Sequence, residues 1–333
     1  MLFKNTSQKS GLQKIIYFIF FLLCFLKLFL AKSDLLILNY MTYFQSDFFL
    51  FLYTYPYLAK IIILFLLLFN SIALYFLLKK NKLIELHNYT VSILYLIFCL
   101  YFLSSSFLIP LFLNSLIILF LFPLLLNISE QNYKPEQGIV FGLFCGIISL
   151  FYAPFILFFL FAFIILQLNG MYYWKNYIMP IVGLIICYIY FFSILYLIDF
   201  KGFTSFFSFY LNQFKLIDFS IISFSYIEFI IFGCILLFYF LFSFSLLYKS
   251  PNMNILIRKK YYCLLISSLL GILLNIFFIE NQFLGSIVFV SILSLIGGIV
   301  EQFIKYRFIY NIIIIILLIC IIINCCIPII PNA

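Results

Sequence analysis

The sequence predicts an all-α, polytopic transmembrane helix bundle of about eleven helices, and three observations support this fold class. Hydrophobic residues make up 67% of the 333 residues, charged residues make up 9%, and the mean hydropathy is +1.27. Soluble domains are about 45–50% apolar and about 25% charged. Apolar runs long enough to cross a hydrocarbon core of about 30 Å recur along the chain, with basic residues in the loops between them. We therefore expect one integral membrane domain over residues 1–333 and no soluble domain.

Each apolar run predicts one helix unless helix-breaking residues divide it. The serines at 104–106 and Pro110 divide the run Tyr89–Leu126 into two helices. The first run follows a basic amino terminus, but the residues after Leu30 form a poor cleavage site, so we predict a retained helix. The other undivided helices are predicted at Lys14–Ala31, Leu58–Leu78, Tyr177–Ile198, Phe224–Leu247, Tyr261–Ile279, Phe283–Val300 and Phe308–Pro328.

The uncharged stretch Gly138–Leu168 decides which side of the membrane every later loop faces. As one straight helix, its 31 residues would be roughly 46 Å long, which exceeds the hydrocarbon thickness of about 30 Å. Pro154 in its middle disfavours a continuous helix. The stretch is therefore either one kinked crossing or a pair of helices that enters and returns.

The distribution of lysine and arginine favours the returning pair. With a returning pair and a cytoplasmic amino terminus, fourteen basic residues face the cytoplasm and four face outward. With a single crossing, the same counts become nine and nine. Because cytoplasmic loops carry the excess of basic residues, we predict the pair, as a full hairpin or a re-entrant pair of the same sidedness.

Two outer loops, 32–57 and 199–223, are each predicted to hold an amphipathic helix that lies along the outer membrane surface. Lys27 is predicted to extend its ammonium group to the same surface from near the end of the first helix. In the second loop the apolar residues follow the helical i, i+3, i+4, i+7 spacing: Phe203, Phe206, Phe207, Tyr210, Leu211, Phe214 and Ile217.

Small residues form a stripe at the start of the Gly138–Leu168 stretch. Gly138, Gly142 and Gly146 recur at a spacing of four, which places them on one face of a helix. Small residues at this spacing let helix backbones approach closely in membranes. The three glycines are therefore assigned to helix packing, and their helix is expected to lie centrally.

Several kinds of chemistry are disfavoured by the residues. The chain has no phosphate-binding loop, dinucleotide fingerprint or serine-hydrolase elbow. The single histidine, His87, and the nine cysteines show no metal-site spacing, so no metal ligand is assigned. The net charge of +9 comes from loop lysines that set membrane topology, so no nucleic-acid partner is expected.

The central positions of the predicted helices offer amides and no carboxylates. Ion-coupled transporters usually keep charged groups near the middle of the membrane. The absence of central carboxylates argues against the hypothesis of a proton-coupled carrier. The hypotheses of a facilitator and of a lipid flippase stay open. The central amides are Asn70, Asn114, Asn275 and Asn311.

Most of the acids are predicted in outer loops, where Asp34 and Asp47 share the first one. A carboxylate beside an interfacial helix can serve as a general base or a metal ligand for a lipid-linked substrate. The alternative interpretation is structural, because acids that are tolerated near a membrane simply gather in outer loops.

Two stretches carry a resemblance to known proteins. The first is Leu103–Asn127, LSSSFLIPLFLNSLIILFLFPLLLN, and the second is Gly138–Ile198, in which the glycine stripe and YYWKNYIMPIVG occur. Together they resemble an uncharacterised bacterial family of polytopic inner-membrane proteins, and they are distantly similar to the multi-spanning C-type glycosyltransferases. The resemblance covers roughly a third of the chain and rests on hydropathy and small-residue placement.

The resemblance implies an enzyme that uses a lipid-phosphate sugar donor, with an acidic catalytic residue in the first outer loop. Carried over, it points to Asp34 as the candidate base and to Asp47 as the second catalytic acid. Lys32 or Lys201 would meet the donor phosphate, and a divalent metal is a candidate cofactor. The chain departs from the family because loop 32–57 has no Asp-Glu or Asp-x-Asp pair. Both arginines are predicted cytoplasmic, which leaves Lys32, Lys60, Lys201 and Lys215 for a phosphate.

We therefore expect a multi-pass protein of the bacterial inner membrane, surrounded by lipids, that acts on a lipid-linked sugar at the outer face. The alternative is a non-catalytic membrane subunit of an envelope assembly or secretion complex, with the glycine stripe as the interface to other membrane subunits. A lipid or polymer translocator is the third hypothesis.

Overall fold

The computed structural model describes residues 6–30, 55–84, 89–102, 108–128, 134–198 and 253–277, together with single positions between 206 and 319. These described ranges are helical and contain no strand. The helices are α1 (Thr6–Leu30), α2 (Pro56–Lys80), α3 (Thr90–Phe102), α4 (Leu108–Leu116), α5 (Phe122–Ile128), α6 (Pro135–Phe151), α7 (Ile156–Leu168), α8 (Trp174–Ile198) and α9 (Ile255–Phe277).

Three of the helices are long and apolar enough to cross a membrane: Gly11–Phe29 in α1, Tyr57–Lys80 in α2 and Trp174–Leu197 in α8. Four further apolar helices are shorter, with 10–17 residues each. The all-α class is confirmed for the described residues, and the three long helices indicate membrane association. The predicted helices after residue 198, apart from α9, lie largely outside the described residues, so the total of about eleven stays a prediction.

A π-helical turn, Ile117–Leu121, joins α4 to α5 in one continuous apolar helix. At its end the Phe122 N–H donates to the Ile117 carbonyl, five residues back. Pro123 follows directly, and in an α-helix its ring would collide with the carbonyl of Leu119, four residues before it. The wider π turn relieves this collision. The helix therefore passes Pro123 without ending.

Helices α2 and α7 end in the same cap, the Schellman motif. After α7, the Gly170 N–H donates to the Gln167 carbonyl at 3.0 Å and the Met171 N–H donates to the Leu166 carbonyl at 3.1 Å. The motif requires a positive φ at its turning residue, and Gly170 adopts +75°. Glycine has no Cβ and takes this conformation freely.

Lys82 occupies the corresponding position after α2, with a φ of 56°, which a side chain with a Cβ adopts at a cost. We expect Lys82→Gly to raise the free energy of unfolding by up to about 1 kcal/mol, because the strain disappears. Thermal unfolding of the detergent-solubilised protein measures the change. Lys82→Ala removes the same charge and keeps the Cβ, so equal stability of the two variants would contradict a strained cap.

The chain turns back between α6 and α7. Tyr152 is extended, with φ −138° and ψ 92°, and a short 3-10 turn, Ala153–Phe155, follows it. The rings of Phe141 and Phe158 lie 6.5 Å apart, centroid to centroid. In a continuous helix these residues would be separated by roughly 25 Å along the axis. The two segments are therefore the arms of a turn and not one kinked helix.

Helix α8 then runs parallel to α6, which requires α7 to run back between them. Gly142 lies against Pro180 and Leu184, and Gly146 lies against Leu184 and Cys187. The contacts advance along both helices in the same direction. With 17 and 13 residues, α6 and α7 are about 25 and 20 Å long, so a full hairpin and a re-entrant pair both stay open.

Hydrogen bonds between helix ends identify one end of the bundle, which we call the basic end. Lys260 near the start of α9 donates to Asn81 Oδ1 after α2 at 3.0 Å, and Lys259 donates to the Asn169 carbonyl after α7 at 3.3 Å. Because α6 and α8 are parallel, both also begin at this end. Ten basic residues of the described ranges share it: Lys9, Lys14, Lys79, Lys80, Lys82, Lys134, Lys175, Arg258, Lys259 and Lys260.

The opposite end, which we call the far end, holds the carboxyl ends of α1 and α3 and the amino end of α2. Helices α1 and α3 are parallel, because the Tyr89 N–H donates to Gln13 Oε1 at 3.2 Å and the Lys27 ammonium donates to the Leu100 carbonyl at 2.6 Å. Lys27 and Lys60 are the remaining basic residues of the described ranges, and both lie at the far end.

Candidate functional site

Four of the predicted site residues lie outside the described residues. They are Asp34, Asp47, Lys32 and Lys201. Three of them belong to the connection that leaves α1 at Leu30 and enters α2 at Pro56, and both of these helix ends lie at the far end. The far end is therefore where the predicted catalytic loop is attached.

Lys27 contributes a positive charge to the far end. Its ammonium group contacts the Leu100 carbonyl in the last turn of α3, where carbonyls have no partner within the helix. A cation at the negative end of a helix is stabilised by about 0.3–1 kcal/mol. The side chain thus reaches a backbone carbonyl at the far end, and its predicted extension to the membrane surface stays a prediction.

Lys60 is the second far-end lysine, and it is only 7% exposed. Its ammonium nitrogen lies 5.7 Å from the centre of the Phe29 ring, within cation–π range. Lys60 follows the first turn of α2, near the positive end of that helix, where a cation is electrostatically disfavoured. Lys60 is therefore a buried positive charge near the amino end of α2.

The predicted packing glycines lie in α6, where all three are buried. A Cβ added to Gly142 would lie 2.0 Å from the Pro180 carbonyl oxygen of α8, and one added to Gly146 would lie 2.7 Å from the Cys187 Cβ. Sequence reasoning missed the reciprocal glycine, Gly183 of α8, whose added Cβ would lie 2.1 Å from the Ile139 carbonyl oxygen. At Gly142 and Gly146 the stripe is covered by α8, so it offers no argument for a partner interface.

A chain of hydroxyl groups continues the α6–α8 contact. Ser149 bonds to the Gly146 carbonyl at 2.8 Å and to the Tyr188 hydroxyl at 2.7 Å, and Tyr188 bonds to Tyr210. Tyr210 and Phe206 belong to the predicted outer amphipathic helix, and both are helical and buried. At these two positions the apolar face packs on α8.

Two of the predicted central amides meet inside the bundle. Asn70 of α2, Tyr95 of α3 and Asn114 of α4 are fully buried. Asn114 Nδ2 donates to the Tyr95 hydroxyl oxygen at 2.7 Å, and Asn70 Nδ2 donates to the Leu111 carbonyl at 3.0 Å. The Tyr95 hydroxyl also interacts with the Asn70 amide. The side chains of the other two, Asn275 and Asn311, lie outside the described residues.

Metal-binding residues do not gather in the described part of the chain. It contains no group of three or more His, Cys, Asp or Glu side chains that could hold a metal ion. Its cysteines, Cys24, Cys99, Cys145, Cys187 and Cys263, are buried and not disulfide-bonded. The candidate divalent metal depends on Asp34 and Asp47, which lie outside the described residues, as does His87.

Comparison with known proteins adds no relative to these observations. No protein-family model matches the chain, and neither does any curated protein or any solved structure.

Proposed function

We propose that the chain is a multi-pass protein of a bacterial inner membrane and a glycosyltransferase-like enzyme that acts on a lipid-phosphate-linked sugar. The basic end faces the cytoplasm in this proposal, because cytoplasmic loops carry the excess of lysine and arginine. The far end then meets the outer leaflet, where the headgroup of a lipid-phosphate donor would lie.

The observation that carries the proposal is the pair of far-end lysines, Lys27 and Lys60. One is held on a carbonyl of α3 and the other is buried beside an aromatic ring. Both lysines belong to helices that are apolar enough to cross a membrane, and an ionisable side chain in such a helix is a default hypothesis for a functional site. A phosphate bound between them would gain charge-assisted hydrogen bonds and would also offset the unfavourable position of Lys60 on α2.

The acids of the first outer loop supply the chemistry in this proposal. Asp34 follows Leu30 by four residues, so covalent geometry keeps it within about 14 Å of the end of α1. Asp34 deprotonates the acceptor hydroxyl or helps to hold a divalent metal, and Asp47 assists. Lys32 and Lys201 join Lys27 and Lys60 in neutralising the donor phosphate.

The test is a deletion strain complemented with wild type, Asp34→Asn or Lys60→Met at matched protein levels. Mass spectrometry of lipid-linked sugars and surface glycans is the measurement. We expect the deletion to lose one sugar, wild type to restore it, and both variants to restore less than about a tenth of it, since one lost charge contact costs at least about 1.4 kcal/mol.

Lys80→Met is the matched control, because it removes one charge from the same helix at the basic end. We expect it to restore the sugar fully. An unchanged glycan profile in the deletion strain would refute the enzyme, and full activity of Asp34→Asn would refute the assigned base.

A further inference from the structure

Two polar atoms in the middle of the bundle have no hydrogen-bond partner. They are the amide oxygens of Asn70 and Asn114, in side chains that are fully buried. A buried carbonyl without a donor loses its hydration and gains nothing in return, and a lipid surrounding cannot supply the missing bond. Asn70 lies about 21 Å from the start of α2 and about 15 Å from its end, so the cluster is near mid-depth.

The cluster cannot complete itself by turning an amide over. Asn114 Nδ2 bonds to Tyr95 and Asn70 Nδ2 bonds to Leu111, while the Tyr95 hydroxyl also interacts with the buried Cys99 thiol. Reversing the Asn114 amide gives the Tyr95 hydroxyl hydrogen to its oxygen, but Nδ2 then loses its acceptor. Asn70 Oδ1 stays without a donor in either orientation. Reversing the Asn114 amide therefore still leaves one polar atom of Asn114 and the amide oxygen of Asn70 without a partner.

We propose that Asn70, Tyr95 and Asn114 form a binding site for one water molecule that links α2, α3 and α4. The water donates one hydrogen to each amide oxygen, and its own oxygen accepts a hydrogen from the Tyr95 hydroxyl or from the Cys99 thiol beside it. Its three bonds match the number that buried waters usually make.

The chemistry of the same three side chains disfavours a cation at this site. The three oxygens belong to neutral groups, and the one acid of the described ranges, Glu136, lies at the basic end. A cation desolvated at mid-depth needs more ligands or a counter-charge. This inference is independent of the proposed enzyme activity.

A structure of the full chain in lipid, at a resolution that shows ordered water, is the direct test. We expect one density peak within hydrogen-bond distance of both amide oxygens and of the Tyr95 hydroxyl or the Cys99 thiol in the wild type, and no peak in Asn114→Leu. A wild-type structure without this peak would overturn the proposal. A peak surrounded by five or more oxygens at cation distances would overturn it in favour of a metal ion.

The second measurement is the midpoint of thermal unfolding of the detergent-solubilised protein, which needs no structure determination. The measurement uses a Tyr95→Phe background, because the Tyr95 hydroxyl contacts both amides and could couple them without a water. In this background we expect Asn70→Leu and Asn114→Leu together to lower the unfolding midpoint by less than the sum of their separate shifts. The water still joins the two amide oxygens there, so losing either one releases it. Additive shifts in that background would overturn the proposal. Ser268→Ala serves as the control, because its bond to the Leu265 carbonyl lies within α9 and not in the three helices of the cluster, and its shift should add independently.

Discussion

Gly142→Ala is expected to disrupt the pairing of α6 with α8 and to cost about 3 kcal/mol or more of folding free energy. The new Cβ would lie 2.0 Å from the Pro180 carbonyl oxygen and 2.9 Å from the Leu184 nitrogen. Both are backbone atoms, so no side-chain rotation relieves the overlap and the helices must separate. Thermal unfolding and the monodisperse fraction on size-exclusion chromatography measure the loss.

Gly183 of α8 makes the corresponding close contact with α6 and provides a second test of the same packing. Gly183→Ala should be similarly destabilising, because its Cβ would meet the Ile139 carbonyl oxygen at 2.1 Å. The double variant should cost less than the sum, since one separation of the helices accommodates both methyl groups. Gly11→Ala in α1 is the control: its Cβ meets nothing within 4 Å, and alanine favours a helix by up to about 1 kcal/mol. Wild-type stability of Gly142→Ala would contradict the close approach of the backbones.

The positions of the described helices between residues 55 and 198 were largely predictable from local chemistry, whereas α1 and α9 begin at Thr6 and Ile255, before the predicted Lys14 and Tyr261. The serines at 104–106 separate α3 from α4, and Pro154 separates α6 from α7. Pro110, by contrast, lies in the first turn of α4, where a missing N–H costs nothing. The π turn before Pro123 could not be predicted, because a proline in a long apolar run ends a helix as readily as it deforms one.

Contacts between distant segments were not predictable from periodicity. The glycine stripe on α6 indicated a close neighbour but could not identify α8, where Gly183 is a single glycine without a repeat. The convergence of Asn70 and Asn114 on Tyr95 joins residues up to 44 positions apart, and each amide alone reads as an isolated polar residue. The predicted catalytic acids Asp34 and Asp47 remain a prediction, since they lie outside the described residues.

Cysteine labelling should show which side of the membrane each helix end faces, because each position is either labelled or protected. We expect a membrane-impermeant maleimide to label Tyr55→Cys in intact cells, and to label Lys80→Cys and Tyr173→Cys only after permeabilisation. Tyr55 precedes α2 at the far end, while Lys80 and Tyr173 lie at the basic end, and all three side chains are exposed. The wild-type protein measures the background, because the described native cysteines are buried.

Lys134→Cys tests whether the α6–α7 pair returns to its side of entry, separately from which end of the bundle faces the cytoplasm. Lys134 and Tyr173 flank the α6–α7 pair, so a pair that returns to its side of entry labels both positions from the same side. Opposite labelling of these two positions would mean that the stretch crosses once, which would contradict the parallel packing of α6 and α8. Same-side labelling from outside would keep the paired helices and reverse the whole bundle. The far-end lysines would then face the cytoplasm, and the lipid-phosphate site proposed for them would move to the inner leaflet.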